Sequence, residues 1–140
     1  MSELSFFDTN IIIYTDDRTD LAKHNRAVSL WHEHREQRTG LISIQVLQEY
    51  FSTVTKKLAM PAEKAQRKVE IMAAGRVVRF EARDVPAAIE LHRLARISFW
   101  DALIVQAARV GGAKVLYSED MQHGSTIGGV RVVNPFLASS

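Results

Sequence analysis

The chain has 140 residues, 46% of them apolar, no cysteine and a formal net charge of +2. That length suits one compact domain with its own core, and the missing cysteines exclude a disulfide framework and thiolate metal sites. No apolar run approaches the ~20 residues needed to span a bilayer, and the opening Met1 to Asp8 lacks the basic and apolar regions of a secretion signal, so a soluble cytoplasmic protein with no membrane partner is expected.

Leu4 to Phe7 reads as a short buried strand, closed by Asp8-Thr9-Asn10 and followed by a helical turn through Ile11 to Tyr14. Asp20 is placed to cap a helix over Leu21 to Gln37, with Gly40 ending that region and Leu41-Ile42 forming a brief strand. Ser43 caps the next helix, Ile44 to Leu58, whose stripe is Val46, Leu47, Tyr50, Phe51, Val54 and Leu58. Pro61 and Glu63 open a helix toward Ala74, stopped by Gly75. Val77 to Phe80 is a strand. Asp84 and Pro86 start a helix through Leu94, and another runs from Trp100 to Val110, ended by Gly111-Gly112. Lys114 to Tyr117 and Val130 to Val133 are the last strands, with a turn at Gly128-Gly129. This alternation predicts a parallel sheet with helices on both faces, and ligands in such sheets bind beyond the carboxyl ends of the strands.

Four acids stand out against that frame. Asp8 ends the first strand, where it can cap the next turn or ligate a metal. Asp101 follows Ser98 at capping-box spacing, yet shares a helix face with Ile104, Val105 and Ala108. An acid on an inward face is costly unless a cap or a metal pairs with it. Glu49 lies off the apolar stripe of its helix, the ordinary place for a solvated residue. Asp120 sits in Ser118-Glu119-Asp120, where turn chemistry alone explains an acid and Ser118 can orient a carboxylate. Hard cations such as Mg²⁺ or Mn²⁺ prefer oxygen ligands, so a carboxylate cluster without cysteine fits them.

The net charge of +2 is no argument for nucleic acid by itself, but a metal on those acids would leave a more basic surface. Lys56, Lys57, Arg67 and Lys68 suit RNA phosphates, an acidic partner or plain solvation. Of the histidines, His24, His32 and His34 read as solvated, His92 as structural, and His123 as near enough to Asp120 for a minor role.

The motifs Phe7-Asp8-Thr9-Asn10-Ile11, Val46-Leu47-Gln48-Glu49-Tyr50, Trp100-Asp101-Ala102-Leu103-Ile104 and Ser118-Glu119-Asp120 together resemble the four acidic motifs of PIN-domain nucleases. Within that family the chain is similar to the VapC toxins of bacterial toxin–antitoxin systems. The resemblance implies a single PIN domain over residues 1–140, a three-layer α/β/α fold and a central parallel sheet of strand order 3-2-1-4-5. It implies Mg²⁺- or Mn²⁺-dependent hydrolysis of a structured RNA such as tRNA or rRNA, inhibition by a VapB-like antitoxin, and a homodimer; the apolar residues of Pro61 to Ala74 and neighbouring helices can supply its surface or simply pack the core. Carried over singly, Asp8 and Asp101 would be the main metal ligands, Glu49 would help hold the metal or its water, and Asp120 would bind a second metal or act through water. Thr9 and Ser118 would support them. Gln48 stands where many relatives have Asn, and Glu119 is an alternative to Asp120. Two other readings compete: a receiver domain, with Glu81 near the end of the third strand as the acceptor, and a binding module without catalysis.

Overall fold

A computed structural model describes residues 3–137; residues 1, 2 and 138–140, which the expected single-domain span includes, lie outside the described residues. The elements are β1 (Ser5–Phe7), α1 (Thr9–Tyr14), α2 (Leu21–Gln37), β2 (Gly40–Ser43), α3 (Ile44–Lys57) and α4 (Ala62–Ala73). They continue with β3 (Val77–Val78), α5 (Asp84–Ala95), α6 (Phe99–Val110), β4 (Val115–Tyr117), β5 (Thr126–Ile127) and β6 (Val130–Val133).

β1 is buried on both faces, as a central parallel strand must be. It pairs in parallel with β2 through Ser5–Gly40 and Phe6–Leu41, and with β4 through Phe6–Leu116 and Phe7–Tyr117. The sheet order is β3-β2-β1-β4-β6-β5. This matches the expected order, with β6 as the fifth parallel strand and β5 as an added antiparallel edge. β5 leaves no signal in the sequence because two residues carry no alternation. Gly128 and Gly129, at φ 57° and 84°, make the two-residue turn that folds it back. The order also excludes the receiver reading, since β1 lies between β2 and β4 rather than beside β3.

Successive residues of a strand face opposite sides. The Phe7 ring meets Trp31 of α2 edge-on at 4.8 Å, so α2 covers that face. Leu41 and Val78 lie on the other, where they close on Gly111 at the end of α6. Helices thus cover both faces, and the core runs through Phe6, Phe7, Ile42, Val46, Ile104 and Leu116.

Four helices start on the side chains expected of caps. Asp8 accepts from the Thr9 N–H, Asp20 from Lys23, Ser43 from Val46 and Ser98 from Asp101. The end of α2 differs from expectation. Arg38, not a glycine, takes the left-handed turn at φ 58°, and the Thr39 N–H bonds back to His34 O at 2.9 Å. Gly40 lies within β2 instead, where a Cβ would stand 3.2 Å from both Trp31 and His34, so the lack of a side chain serves close packing on α2. The third strand is also shorter than expected, stopping at Val78 rather than Phe80. Phe51, placed on the buried stripe of α3, is 38% exposed.

Candidate functional site

Asp8 begins where β1 stops. Its N–H donates to Tyr117 O at 2.9 Å, so the ladder with β4 holds its backbone. Its carboxylate accepts from the Thr9 N–H and from the Ser118 hydroxyl, both at 2.7 Å. Ser118 is fully buried after β4, and its Oγ also accepts from the Asp120 N–H at 3.2 Å. One hydroxyl therefore joins the ends of two adjacent strands and fixes the spacing between Asp8 and the Asp120 loop.

The other acids reach the same cleft from different elements. Asp8, Glu49, Asp101 and Asp120 all line a cavity of about 340 Å³, with Thr9, Asn10 and Lys57 among the other lining residues. Glu49 corrects the reading of a solvated surface residue. It is half-buried, and the Thr9 hydroxyl donates to its Oε1 at 2.6 Å. The packing of α3 against α1 turns the polar face of α3 toward the end of β1. No periodicity within α3 can report that contact.

Asp101 lies in the first turn of α6, where Ser98 Oγ accepts from its N–H at 3.0 Å. The cap thus holds the backbone, while the carboxylate lines the cleft. Asp120 is exposed at the rim, and Asn10 Nδ2 donates to its Oδ2 at 2.9 Å. Glu119 is committed elsewhere: Tyr14 Oη donates to it at 2.7 Å and Lys23 forms an ion pair with it. That settles the geometric alternative between the two neighbours, because Asp120 lines the cleft and Glu119 does not.

Burial, foremost, lifts the Asp8 carboxyl to about 7; the Ser118 and Thr9 hydrogen bonds oppose the shift, and the negative charges of Asp101 and Asp120 add to it. Asp101 is also raised, first by burial and then by Asp120 and Glu49, with Ser98 opposing. The cleft is therefore short of positive charge, and Lys57 is the one basic residue in its lining among the described residues. No group of three acids or histidines among the described residues is already gathered closely enough to grip an ion directly. The donor set is nonetheless oxygen-rich and anionic, which fits a hard divalent cation that keeps part of its water shell.

Two polar residues of this site went unnoticed in the sequence. Asn10 contacts Asp120, approaches Asp8 at 3.4 Å, and accepts from the Glu119 N–H at 3.2 Å. Its place two residues after Asp8 was the available signal. Gln45 Nε2 lies 3.5 Å from Glu49 and 3.4 Å from Trp100 O, spanning α3 and α6. Only the fold brings those helices together.

Two histidines, His24 and His34, differ from expectation, and His123 takes the structural alternative. His24 is buried, with Nδ1 2.8 Å from Tyr14 O. His34 packs against Phe7 and Tyr117, and burial holds its imidazole below the ordinary value. His123 accepts from the Asn134 N–H at 3.0 Å and does not line the cleft. Lys68 is likewise occupied, in an ion pair with Asp16.

A family model described as PIN domain matches residues 5–125, and the chain belongs to that family. Among solved structures it is similar to Mycobacterium tuberculosis VapC20, described as a sarcin-ricin loop cleaving toxin. The identity is 25%, over 83% of this chain and 89% of that one, with TM-score 0.67. It is similar in fold to a toxin–antitoxin complex from Klebsiella pneumoniae, with 19% identity over 94% of this chain and 97% of that one and TM-score 0.68. DNA-bound VapBC from Salmonella typhimurium gives 20% identity over the same shares, with TM-score 0.66. A comparison with curated proteins returned no match.

Proposed function

We propose that this chain is a metal-dependent endoribonuclease, the toxin of a toxin–antitoxin pair, which hydrolyses phosphodiester bonds of a structured RNA such as tRNA or rRNA. One observation carries the reading: Asp8, Glu49, Asp101 and Asp120, drawn from four separated parts of the chain, line one cleft at the carboxyl ends of β1 and β4. Membership of the PIN family and likeness to a toxin described as sarcin-ricin loop cleaving support it.

In this reading Asp8, Asp101 and Asp120 hold Mg²⁺ or Mn²⁺, with Glu49 completing the pocket. When bound, such a cation supplies positive charge against the scissile phosphate and acidifies an attacking water. The chain's own residues supply the rest. Ser118 and the Thr9 N–H orient Asp8, and the Thr9 hydroxyl steadies Glu49, which is placed to hold a water by one carboxylate oxygen. Asn10 steadies Asp120 at the rim through its hydrogen bond, and Lys57 in the cleft lining would meet an incoming phosphate.

The sheet extends beyond the matched span to include β6, which supports reading residues 1–140 as one PIN domain. An antitoxin partner and a homodimer follow from the same reading, the relatives from Klebsiella and Salmonella being described as toxin–antitoxin and VapBC assemblies. No described helix is long and apolar enough to cross a membrane, which accords with work in the cytoplasm.

The test is cleavage of total tRNA and rRNA with Mg²⁺ or Mn²⁺ by the unaltered chain, Asp8→Ala and Asp101→Ala. Cleavage by the unaltered chain alone, abolished by a chelator, is the expected result. Equal cleavage by all three proteins rejects the assignment, and metal-independent RNA binding without cleavage points instead to the binding module.

A further inference from the structure

A second cavity lies on the α2 side of the sheet, at the start of β2. It has a volume of about 420 Å³, and its walls include Arg35 and Arg38 at the end of α2, Arg76 before β3, and Trp31, Ile42 and Met72. Gly40, which borders it, pairs with Ser5 at the beginning of β1. The catalytic acids stand beyond the other end of that strand, about 10 Å along it at the usual rise per residue.

Three guanidinium groups line this cavity and no carboxylate does. None of the three is in an ion pair among the described residues. Gathering like charges without a counter-ion is unfavourable, and a bound anion relieves it. Two of the three guanidiniums have fixed partners, while Arg38 and Arg76 stay open to solvent. Arg76 Nη1 donates to Arg38 O at 2.9 Å, and the Arg35 guanidinium lies 5.4 Å from the Trp31 ring centre. Arg38 occupies the left-handed region at φ 58°, where glycine would be relaxed. Planar guanidinium forks match phosphate oxygens. The cavity is larger than a bare phosphate needs, falls in the size range of small-ligand sites, and has an apolar side made of Trp31, Ile42 and Met72.

We propose that this cavity binds a nucleotide, its phosphate on Arg35, Arg38 and Arg76 and its base against Trp31, Ile42 and Met72. The nucleotide is either free or a unit of an RNA chain reaching past the catalytic cleft. The site differs from the carboxylate cleft in place, charge and residues, and it stands or falls independently of cleavage.

The chain has two tryptophans, Trp31 at this cavity and Trp100 at the acidic cleft, so indole N–H resonances of ¹⁵N-labelled protein report the two sites separately. The full chain in metal-free buffer is titrated with adenosine 5′-monophosphate, with adenosine, and with a cleavage-resistant 2′-O-methyl RNA hexamer. The Trp31 signal should move with the monophosphate or the hexamer and stay in place with adenosine. Arg38→Gln and Arg76→Gln should each bind about tenfold more weakly, as expected for one lost charge-assisted contact. A response to the monophosphate identifies a free-nucleotide site, and a response to the hexamer alone identifies an RNA contact. The proposal is overturned if neither ligand moves Trp31, if adenosine moves it equally, or if both folded variants bind like the unaltered chain. Arg76→Gln gives up one hydrogen bond to Arg38 O but keeps Arg38 itself in the left-handed turn that ends α2, and so keeps the test decisive should Arg38→Gln fail to fold.

Discussion

Asp8 shows how one residue can oppose stability where it serves the site. Its folded pKa, about 7, lies above the ordinary 3.8, so between those values the folded chain holds a proton that the unfolded chain has released. Stability contributed by that proton is present below about pH 4 and is lost as pH rises through 7. A shift of that size is worth on the order of a few kcal/mol. Without metal, the chain should melt at a lower temperature at pH 8 than at pH 5, a trend to which the raised Asp101 adds. Asp8→Asn, which keeps the cap acceptor without the charge, should flatten much of that difference; unchanged pH dependence in thermal melts would count against the assignment. Thr9→Val tests the neighbouring contact. Loss of the hydroxyl that holds Glu49 should lower RNA cleavage by about tenfold, the worth of one hydrogen bond to a charged group. Melting near that of the unaltered protein would separate this effect from misfolding.

At the scale of elements, two joints set the cleft. Ser98 starts α6 three residues before Asp101, so Ser98→Ala should cost about 1 kcal/mol in denaturant unfolding. It should also reduce cleavage, because the same turn aims Asp101. The far end of α6 is a packing constraint. A Cβ on Gly111 would stand 2.7 Å from Leu41 Cδ1 and 2.8 Å from Val78 Cγ2. Gly111→Ala must therefore displace those buried side chains or the helix end itself, at a cost of about 1–3 kcal/mol. A chemical denaturation midpoint equal to that of the unaltered chain would contradict this packing.

For the whole molecule, the four acids come from the junction after β1, from α3, from α6 and from the loop after β4, so an ion held among them links regions distant in sequence. Ligand binding to the folded state alone raises stability by mass action. Mn²⁺ should thus raise the melting temperature of the unaltered chain in proportion to the logarithm of its concentration. Asp101→Asn should respond less, and Asp8→Asn with Asp101→Asn least. An equal rise in all three, measured by calorimetry, would place the ion elsewhere.

Local signals were legible in the sequence. The caps at Asp20, Ser43 and Ser98 marked their helix starts because each serves donors within its own first turn. The apolar run before Asp8 announced a strand buried on both faces. The order of the motifs suggested the family, and the family suggested the sheet. Other features were hidden for definite reasons. β5 is too short to show a period. The left-handed Arg38 has no residue signature, since glycine is the usual sign of that turn. His24 and His34 look polar in sequence, and the burial of His24 and half-burial of His34 follow from what α2 packs against.

The sequence by itself determined where the helices and the central strands begin and which acids stand at their ends, because capping and periodicity act over a few residues. Only the tertiary structure decided that Glu49 turns toward Asp8, that Asp120 rather than Glu119 lines the cleft, and that three arginines share a second cavity. Those outcomes depend on which helix faces which strand, a choice made by packing between residues tens of positions apart.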